Sequence, residues 1–229
     1  SENKNKLLGT DLTQLALTLA PNAPELYDEE GNLNWENGTW DNPLRWSNLN
    51  YSTKSTQWLT SWLIEGEILT GLVMRLQARY NESNNEEKRI TPNTFYNPAW
   101  GLTSAASNSM FNHGQDKNWN IEPQLNYTKS WKNHKLTALI GSSFLKQESS
   151  QMVWYASNFT SDSQLNNLAA AKSLQLIGNS RYQYAYNSVF TRINYQFADK
   201  YIVNLTGRRD GSSRFGPGKK WGNFGALGV

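Results

Sequence analysis

The sequence predicts an all-β fold, a segment of an antiparallel, up-and-down transmembrane β-barrel. Three observations carry this prediction. Apolar and polar residues alternate in several stretches, short turns and long loops alternate along the chain, and 13% of the residues are aromatic although the mean hydropathy is -0.70. A half-apolar chain rich in Trp and Tyr is typical of barrels with aromatic girdles at the membrane interfaces, and also of surfaces that stack on sugars.

The alternation is clearest in residues 119–128 and 187–208. Successive side chains of a strand point to opposite faces of the sheet, so a period of two places apolar residues on one face and polar residues on the other. Residues 198–200 are too few for anything except a hairpin connection. Pro123 cannot donate a ladder hydrogen bond and predicts a bulge or a local break. In total, about seven strands are visible.

The connections between these strands alternate in length. Tight turns are predicted at 69–71, 131–135 and 198–200, and long loops at about 11–56, 81–117, 148–181 and 210–220. In an up-and-down meander every second connection lies at the same end of the strands, so the tight turns share one end. Outer-membrane barrels have this asymmetry, with short periplasmic turns and long extracellular loops. We expect short helices within the loops, at 11–20 behind an Asp11 cap and at 165–171.

Composition limits the possible chemistry. The net charge of +3 argues against a nucleic-acid partner, and the absence of Cys removes thiol chemistry. We therefore expect no enzyme, no catalytic residue, no cofactor and no metal site. One arrangement resembles a calcium loop, because Asp28, Glu30 and Asn32 offer oxygens at alternate positions around Gly31. A simple turn explains the same glycine.

Aromatic residues are concentrated in the predicted long loops, where they could bind substrate. Aromatic faces stack on sugar rings and contact apolar side chains. The alternative is that these rings pack the loops against each other or against a covering partner. The candidates are Trp35, Trp40, Trp46, Phe95, Tyr96, Trp100, Trp154 and Tyr155.

A basic cluster follows the last hairpin. Alternation directs Arg192 and Arg208 to the polar, luminal face of a barrel and places Val203 and Leu205 toward lipid. The cluster could bind an anionic group, but we favour an internal ion-pair network that fixes the loop. Its members are Arg192, Arg208, Arg209, Asp210 and Arg214.

Several of these segments carry a family resemblance. Residues 190–195, 199–202 and the Arg-Asp-Gly-Ser-Ser-Arg-Phe-Gly run at 209–216 resemble the barrel region of SusC/RagA-type TonB-linked (TonB-dependent) outer-membrane transporters of Bacteroidetes. Residues 17–24, 27–35 and 94–98 resemble the same region, in the same order. The resemblance implies that residues 1–229 form part of one barrel domain. No plug, N-terminal periplasmic domain or set of C-terminal closing strands is recognisable in this sequence.

The resemblance also implies a function, a location and partners. The protein would lie in the bacterial outer membrane and take part in energised nutrient uptake, binding an oligosaccharide or a peptide with its extracellular loops and lumen. A SusD-like surface lipoprotein would act as a lid, and the TonB–ExbB–ExbD complex would supply energy through parts of the transporter outside this sequence. Outer-membrane lipid would surround the barrel, and no nucleic acid is involved.

Two other functions remain open at this stage. One is a passive porin or surface barrel, which an upstream plug domain and TonB box would exclude. The other is a soluble β-rich carbohydrate-binding module, which would stay soluble and monomeric without detergent. The sequence does not choose between substrates or oligomeric states.

Overall fold

A computed structural model describes residues 1–5 and 11–229. Its strands form one eight-stranded sheet in which every strand neighbours the next along the chain. The strands are β1 (Glu2–Asn5), β2 (Asn50–Leu69), β3 (Leu72–Thr91), β4 (Asn108–Trp131), β5 (His134–Ser157), β6 (Ser173–Phe197), β7 (Tyr201–Ser212) and β8 (Trp221–Gly228). This sequential order confirms the predicted all-β, up-and-down fold. Within the described residues, no helix is long and apolar enough to cross a lipid bilayer.

The extra strand beyond the predicted seven is β1. Its four residues are polar and exposed, so no alternation marks them as a strand. They join the sheet through the backbone, with Glu2 opposite Lys54 and Asn5 opposite Tyr51 of β2. Because backbone pairing does not depend on the side chains, a short polar edge strand escapes a search for hydrophobic periodicity.

The strands are longer than predicted, and the loops are correspondingly shorter. The loop expected at 81–117 spans only the residues between Thr91 and Asn108, and the loop expected at 148–181 lies between Ser157 and Ser173. The extensions of β3 and β4 are mostly polar, and their few apolar residues, Ile90, Met110 and Phe111, do not alternate regularly. The period-two signal is therefore lost while the backbone ladder continues. Pro123, where a bulge or a local break was expected, lies inside β4, and this strand continues on both sides of it.

The tight turns lie where they were predicted. Thr70 and Gly71 connect β2 to β3, residues 132–133 connect β4 to β5, and residues 198–200 connect β6 to β7. Gly71 has a φ of 79°, and a Cβ added there would lie 2.3 Å from the carbonyl oxygen of Thr128. Both the backbone conformation and the lack of space therefore require glycine at this turn.

Of the two predicted helices, one is confirmed and one is wrong. Helix α1 spans Leu12–Thr18, and the Asp11 carboxylate caps it by accepting hydrogen bonds from the backbone of Thr13 and Gln14. Residues 165–171 do not form a helix. Two 3₁₀ turns, Asp162–Gln164 and Leu168–Ala170, lie there instead, separated where Leu165 enters a small apolar core and Asn167 caps the second turn. Further 3₁₀ turns span Glu36–Gly38, Pro43–Asn48, Asn93–Phe95, Pro98–Trp100 and Ser104–Ala106.

The described chain divides into two compact units. The first contains Ser1–Thr56, Asn84–Gly114 and Gln151–Ser180, and it includes most of the loops. Its apolar core is small and consists of Ile90, Ala156, Phe159 and Leu165. The second contains Gln57–Ser83, Gln115–Ser150 and Arg181–Val229, and it includes the tight turns.

In the second unit, the two faces of the sheet differ in polarity. On one face Ile193 lies opposite Leu205, and Tyr195 lies opposite Val203. On the other, Asn194 lies opposite Asn204 and donates a hydrogen bond to it at 2.6 Å. Isoleucine 193 and Leu205 are exposed, as expected for a face that meets lipid rather than a protein core.

Two aromatic belts border the apolar face. Trp58, Tyr80 and Trp119 form one belt across three adjacent strands, with ring centroids 6.5 and 4.3 Å apart. Near the tight turns, His134 stacks on Trp131 at 5.2 Å and contacts Phe197 at 4.9 Å. Trp119 and Trp131 are 12 residues apart on β4, which is about 40 Å along a strand and about 30 Å in height at a tilt near 40°. The belts are therefore spaced to bracket the apolar part of a bilayer.

An aromatic ring on the polar face fills the space above a glycine. Phe190 of β6 lies over Gly141 of β5, where an added Cβ would be 2.5 Å from the ring, and Arg208 lies over the same ring at 5.5 Å. Gln124 of β4 borders the site from the other side. Because Gly141 has no side chain, residues of β4, β5 and β7 can pack around the ring of Phe190.

Substitution of Gly141→Ala in the full-length protein should lower barrel stability by about 1–3 kcal/mol, because the new methyl group overlaps Phe190. Phe190→Ala combined with Gly141→Ala should recover part of that loss. The measurement is the temperature at which the folded barrel is lost in detergent, scored by gel mobility. Additive effects of the two substitutions would contradict this packing.

Candidate functional site

The first unit contains a cavity of about 400 Å³ between its strand segments. Phe111 of β4 and Trp154 of β5 give it aromatic walls. Charged and polar side chains form the remainder, and the most prominent are Glu86, Glu87, Lys88 and His113. The site therefore combines flat apolar surfaces with hydrogen-bonding groups, as is typical of pockets for small polar ligands.

Neighbouring side chains orient the polar groups of the cavity. Asn112 donates a hydrogen bond to Glu87 Oε2 at 3.1 Å and accepts one from Gln151 Nε2 at 3.0 Å. Lys88 Nζ donates to Asn166 Oδ1 at 3.1 Å and lies 5.3 Å from the centre of the Phe111 ring. Because Glu87 and Lys88 are consecutive residues of β3, these contacts orient a carboxylate on one face of the sheet and an ammonium group on the other. Lys88 shares its face with Glu86 and lies beside Phe111, which places it with the aromatic walls of the cavity.

Of the residues that line this cavity, Trp154 is a candidate from the sequence and the others are not. Glu86, Glu87 and Lys88 lie in a charged run within the loop predicted at 81–117, and Phe111 and His113 lie in a stretch without clean alternation. Only the extension of β3 and β4 as strands brings them together. No sequence pattern signalled that pairing.

Four of the predicted loop aromatics pack on one another. The ring of Phe95 lies 5.0 Å from Trp46 and 5.3 Å from Tyr96, and Tyr96 lies 6.2 Å from Trp100. The Arg45 guanidinium lies over Phe95 at 5.2 Å. These contacts join the loop before β2 to the loop after β3.

The remaining predicted aromatics are dispersed. Trp35 lines a second cavity of about 610 Å³ that also involves Tyr27, Asn48 and Pro98. Trp40 and Tyr155 are half-buried and line neither cavity. The eight candidates therefore do not form one site.

Two buried asparagines hold these loops in place. Asn42 donates to the carbonyl oxygens of Leu26 and Asn34 at 2.7 and 2.8 Å and accepts from the backbone of Leu44 at 2.8 Å. Asn97 donates to the Gly38 carbonyl at 3.0 Å. A buried amide with all these partners fixes several chain segments at once, since losing any one contact would leave a polar group unsatisfied.

The calcium-like segment forms a tight turn. Asp28 Oδ1 accepts hydrogen bonds from the backbone of Glu30 at 3.1 Å and Asn32 at 2.7 Å, and Gly31 has a φ of 82°. The Asp28 carboxylate is thus engaged by its own turn. Across residues 1–5 and 11–229, no group of three or more His, Cys, Asp or Glu side chains could hold a metal ion.

The basic cluster separates into three parts. On the polar face, Arg208 Nε pairs with Asp210 Oδ1 at 2.6 Å, and Tyr186 bonds to both of these side chains. Arg209 points to the opposite face and lies over Trp221 at 5.2 Å. Arg192 shares the polar face with Arg208 and lies opposite Thr206.

Arg214 lies in the loop between β7 and β8. Its guanidinium lies 4.5 Å from the centre of the Tyr184 ring and donates to Tyr182 at 3.4 Å. That hydrogen bond raises the pKa of Arg214 above its ordinary value, so the group stays charged. Gly218, with a φ of 78°, and a hydrogen bond from the backbone of Ser212 to the Lys220 carbonyl shape the same loop.

The sheet, its two aromatic belts and its polar inner face together define a transmembrane β-barrel segment. No family model matches the chain. It is 30% identical over 220 residues to TonB-dependent receptor P26 of Formosa agariphila, across 90% of this chain and 21% of that receptor. It is 29% identical over 173 residues to TonB-dependent receptor P39 of the same organism, across 72% of this chain and 16% of that one.

Solved structures give the same result. A structure of the RagAB peptide transporter matches with a TM-score of 0.71 and 25% identity, over 79% of this chain and 20% of that chain. The RagAB peptide importer in its open-open state matches with a TM-score of 0.69 and 26% identity, over 81% of this chain and 20% of that one. The chain belongs to the SusC/RagA-type TonB-dependent receptors of the bacterial outer membrane, as part of their barrel. It spans about a fifth of the length of these relatives, which are receptors and transporters rather than enzymes.

Replacing Arg208 and Arg209 together by Ala in the full-length receptor should lower the yield of folded barrel more than it affects ligand binding. Loss of the Arg208–Asp210 pair should cost roughly 1–2 kcal/mol, because the pair is only partly exposed and shares Tyr186. Arg192→Ala is the control, since it removes a charge from the same face outside this network. A normal yield with lost ligand affinity would show that the cluster is a binding site.

Proposed function

We propose that the chain is part of the barrel of a TonB-dependent nutrient importer that binds its substrate with extracellular loops and lumen for energised uptake. The observation that carries the proposal is the similarity to TonB-dependent receptors and a peptide importer over most of the chain. The strands supply a rigid wall, and the loops and strand extensions supply the polar and aromatic groups that meet the substrate.

The cavity beside Trp154 is the proposed first contact for substrate. Trp154 and Phe111 share the outer face of their strands with Lys146 and Trp119, so substrate would meet this cavity before it entered the lumen. The aromatic walls of the cavity would stack on a sugar ring or an apolar side chain, and Glu86 would accept hydrogen bonds from hydroxyl or amide groups. Both an oligosaccharide and a peptide present these features. The solved relative is a peptide importer by name, which supports the peptide as one of the two substrates to test.

The other loop aromatics have a supporting role in this proposal. The contacts among Trp46, Phe95, Tyr96 and Trp100 hold the loops in one conformation, and the exposed ring of Trp100 remains available to substrate or to a covering partner. A SusD-like lipoprotein would be that partner, and TonB–ExbB–ExbD would act through segments outside this chain. The Arg208 network is assigned to the barrel wall rather than to binding.

An energised importer and a passive barrel differ in one measurable respect. Uptake through the full-length receptor should stop when TonB is deleted in the native bacterium, because movement of a plug requires energy from the inner membrane. Growth on mixed oligosaccharides or mixed peptides as sole nutrient is the measurement, with deletion of the receptor gene as the reference. Unchanged receptor-dependent growth without TonB would favour the passive barrel.

Trp154→Ala should weaken substrate binding by about tenfold, because it removes an aromatic wall of the cavity. The purified full-length complex is incubated with mixed oligosaccharides or mixed tryptic peptides, and the retained molecules are quantified by mass spectrometry. Trp46→Ala is the matched control: it should increase protease cleavage of the loops and leave retention per folded receptor nearly unchanged. Equal retention by the Trp154→Ala receptor and the unmodified receptor would exclude this cavity as the substrate site.

A further inference from the structure

Three cations and one carboxylate lie together on the outer face of the second unit. Lys146 Nζ pairs with Glu148 Oε1 at 2.8 Å, and Gln183 Nε2 donates to the same oxygen at 3.1 Å. The positive charges of Arg181 and Lys117 also act on Glu148. We call Lys117, Lys146, Glu148 and Arg181 the cationic stripe. It crosses the neighbouring strands β4, β5 and β6 and contains two more positive than negative charges.

Strand alternation places the stripe on the lipid-facing side. Lys117 is two residues from Trp119 on β4 and shares its face, and Lys146 is two residues from the exposed Phe144 on β5. On the opposite face, Ser143 bonds to Glu122 at 3.1 Å, and Phe190 covers Gly141. The stripe therefore does not point into the lumen.

The stripe begins where the apolar band ends. Trp119 belongs to the aromatic belt farther from the tight turns, and Lys117 follows it in the direction away from those turns. Tryptophan and tyrosine rings in a girdle mark the depth of the lipid headgroups. Charged side chains immediately beyond such a belt lie at the level of the headgroup phosphates and sugars.

We propose that the cationic stripe binds the phosphate groups of phosphorylated glycolipid in the outer leaflet of the outer membrane. Lys117, Lys146 and Arg181 supply charge-assisted hydrogen bonds to phosphate oxygens. Glu148 holds Lys146 by its ion pair, and Glu82 of β3 borders the stripe through its hydrogen bond from Gln115 at 3.0 Å, two residues from Lys117. Three cations against these two carboxylates leave one positive charge in surplus. The lipid would then be a specific partner of this face rather than a uniform solvent.

The proposal is tested on the full-length, delipidated receptor in detergent, titrated with purified lipopolysaccharide and followed by tryptophan fluorescence. Lys117→Gln, Lys146→Gln and Arg181→Gln combined should weaken binding about tenfold or more, as expected when several charged contacts to phosphate are lost. Glu148→Gln should tighten binding, because it removes the negative charge that pairs with Lys146 and repels phosphate. An increase in affinity is a result that misfolding cannot produce.

The controls separate the phosphate from other features of the lipid. The triple substitution Lys129→Gln, Lys132→Gln and Lys135→Gln removes the same charge near a tight turn and should leave lipopolysaccharide binding unchanged. Dephosphorylated lipopolysaccharide should bind the unmodified receptor as weakly as the stripe variant binds the intact lipid. If the triple stripe variant does not fold, Lys117→Gln with Arg181→Gln keeps the Lys146–Glu148 pair and should still weaken binding.

Two results would overturn the proposal. One is equal affinity of the stripe variants and the unmodified receptor for intact lipopolysaccharide. The other is equal affinity of the unmodified receptor for intact and dephosphorylated lipid, which would show binding through acyl chains or sugars alone. Neither result depends on transport, so the proposed function is tested separately.

Discussion

Backbone hydrogen bonding in lipid is the constraint on which the rest of this structure depends. Hydrocarbon offers no partner for an amide N–H or carbonyl group, so a membrane-crossing strand must pair along its length with its neighbours. The sequential order of β2 to β8 meets this requirement by pairing each strand with the next one along the chain. Because the ladder uses only main-chain atoms, the side chains of the two faces are free to serve different surroundings.

The two faces of the sheet differ in the polarity of their side chains. The outer face carries exposed apolar side chains between two aromatic belts, whereas the inner face carries hydrogen-bonded groups such as Asn194 and the Arg208–Asp210 pair. Phe190 is an informative exception, because a large apolar ring on the polar face is accommodated only by the glycine beneath it. The outer face of such a protein is apolar, like the interior of a soluble protein. The luminal face is polar, like the surface of a soluble protein.

The sequence was most informative where lipid imposes a pattern. Residues 119–128 and 187–208 could be assigned because one of their faces is apolar at every second position, and the tight turns could be assigned because they interrupt that pattern. In β1 and the outer parts of β3 to β6, polar residues are frequent and the apolar ones, such as Phe111 and Leu174, do not recur regularly at every second position, so the periodic signal was weak. Leu165 and its neighbours resembled a helix by composition, but a tertiary contact in the core overrode the local preference.

The candidate site was less predictable for the same reason. Trp154 stands out by residue type alone, whereas Lys88 and Phe111 become neighbours only through strand pairing that the side chains do not encode. Residue type alone does not distinguish a ring that lines a cavity, such as Trp154, from a ring that packs against other loop residues, such as Trp46, because both uses need the same aromatic chemistry. The distinction required the position of each ring relative to a cavity.

Among the described residues, β1 pairs with β2 from Tyr51 to Lys54, and Ser1 exchanges backbone hydrogen bonds with Ser55. Further along β2 lie the exposed Trp58, Trp62 and Ile64, to which the four residues of β1 do not extend. Because every backbone group of a membrane strand must be paired, a strand from another part of the receptor would have to complete this side of β2. If residues 1–229 were produced by themselves, the same edge would accept strands from other copies and favour aggregation.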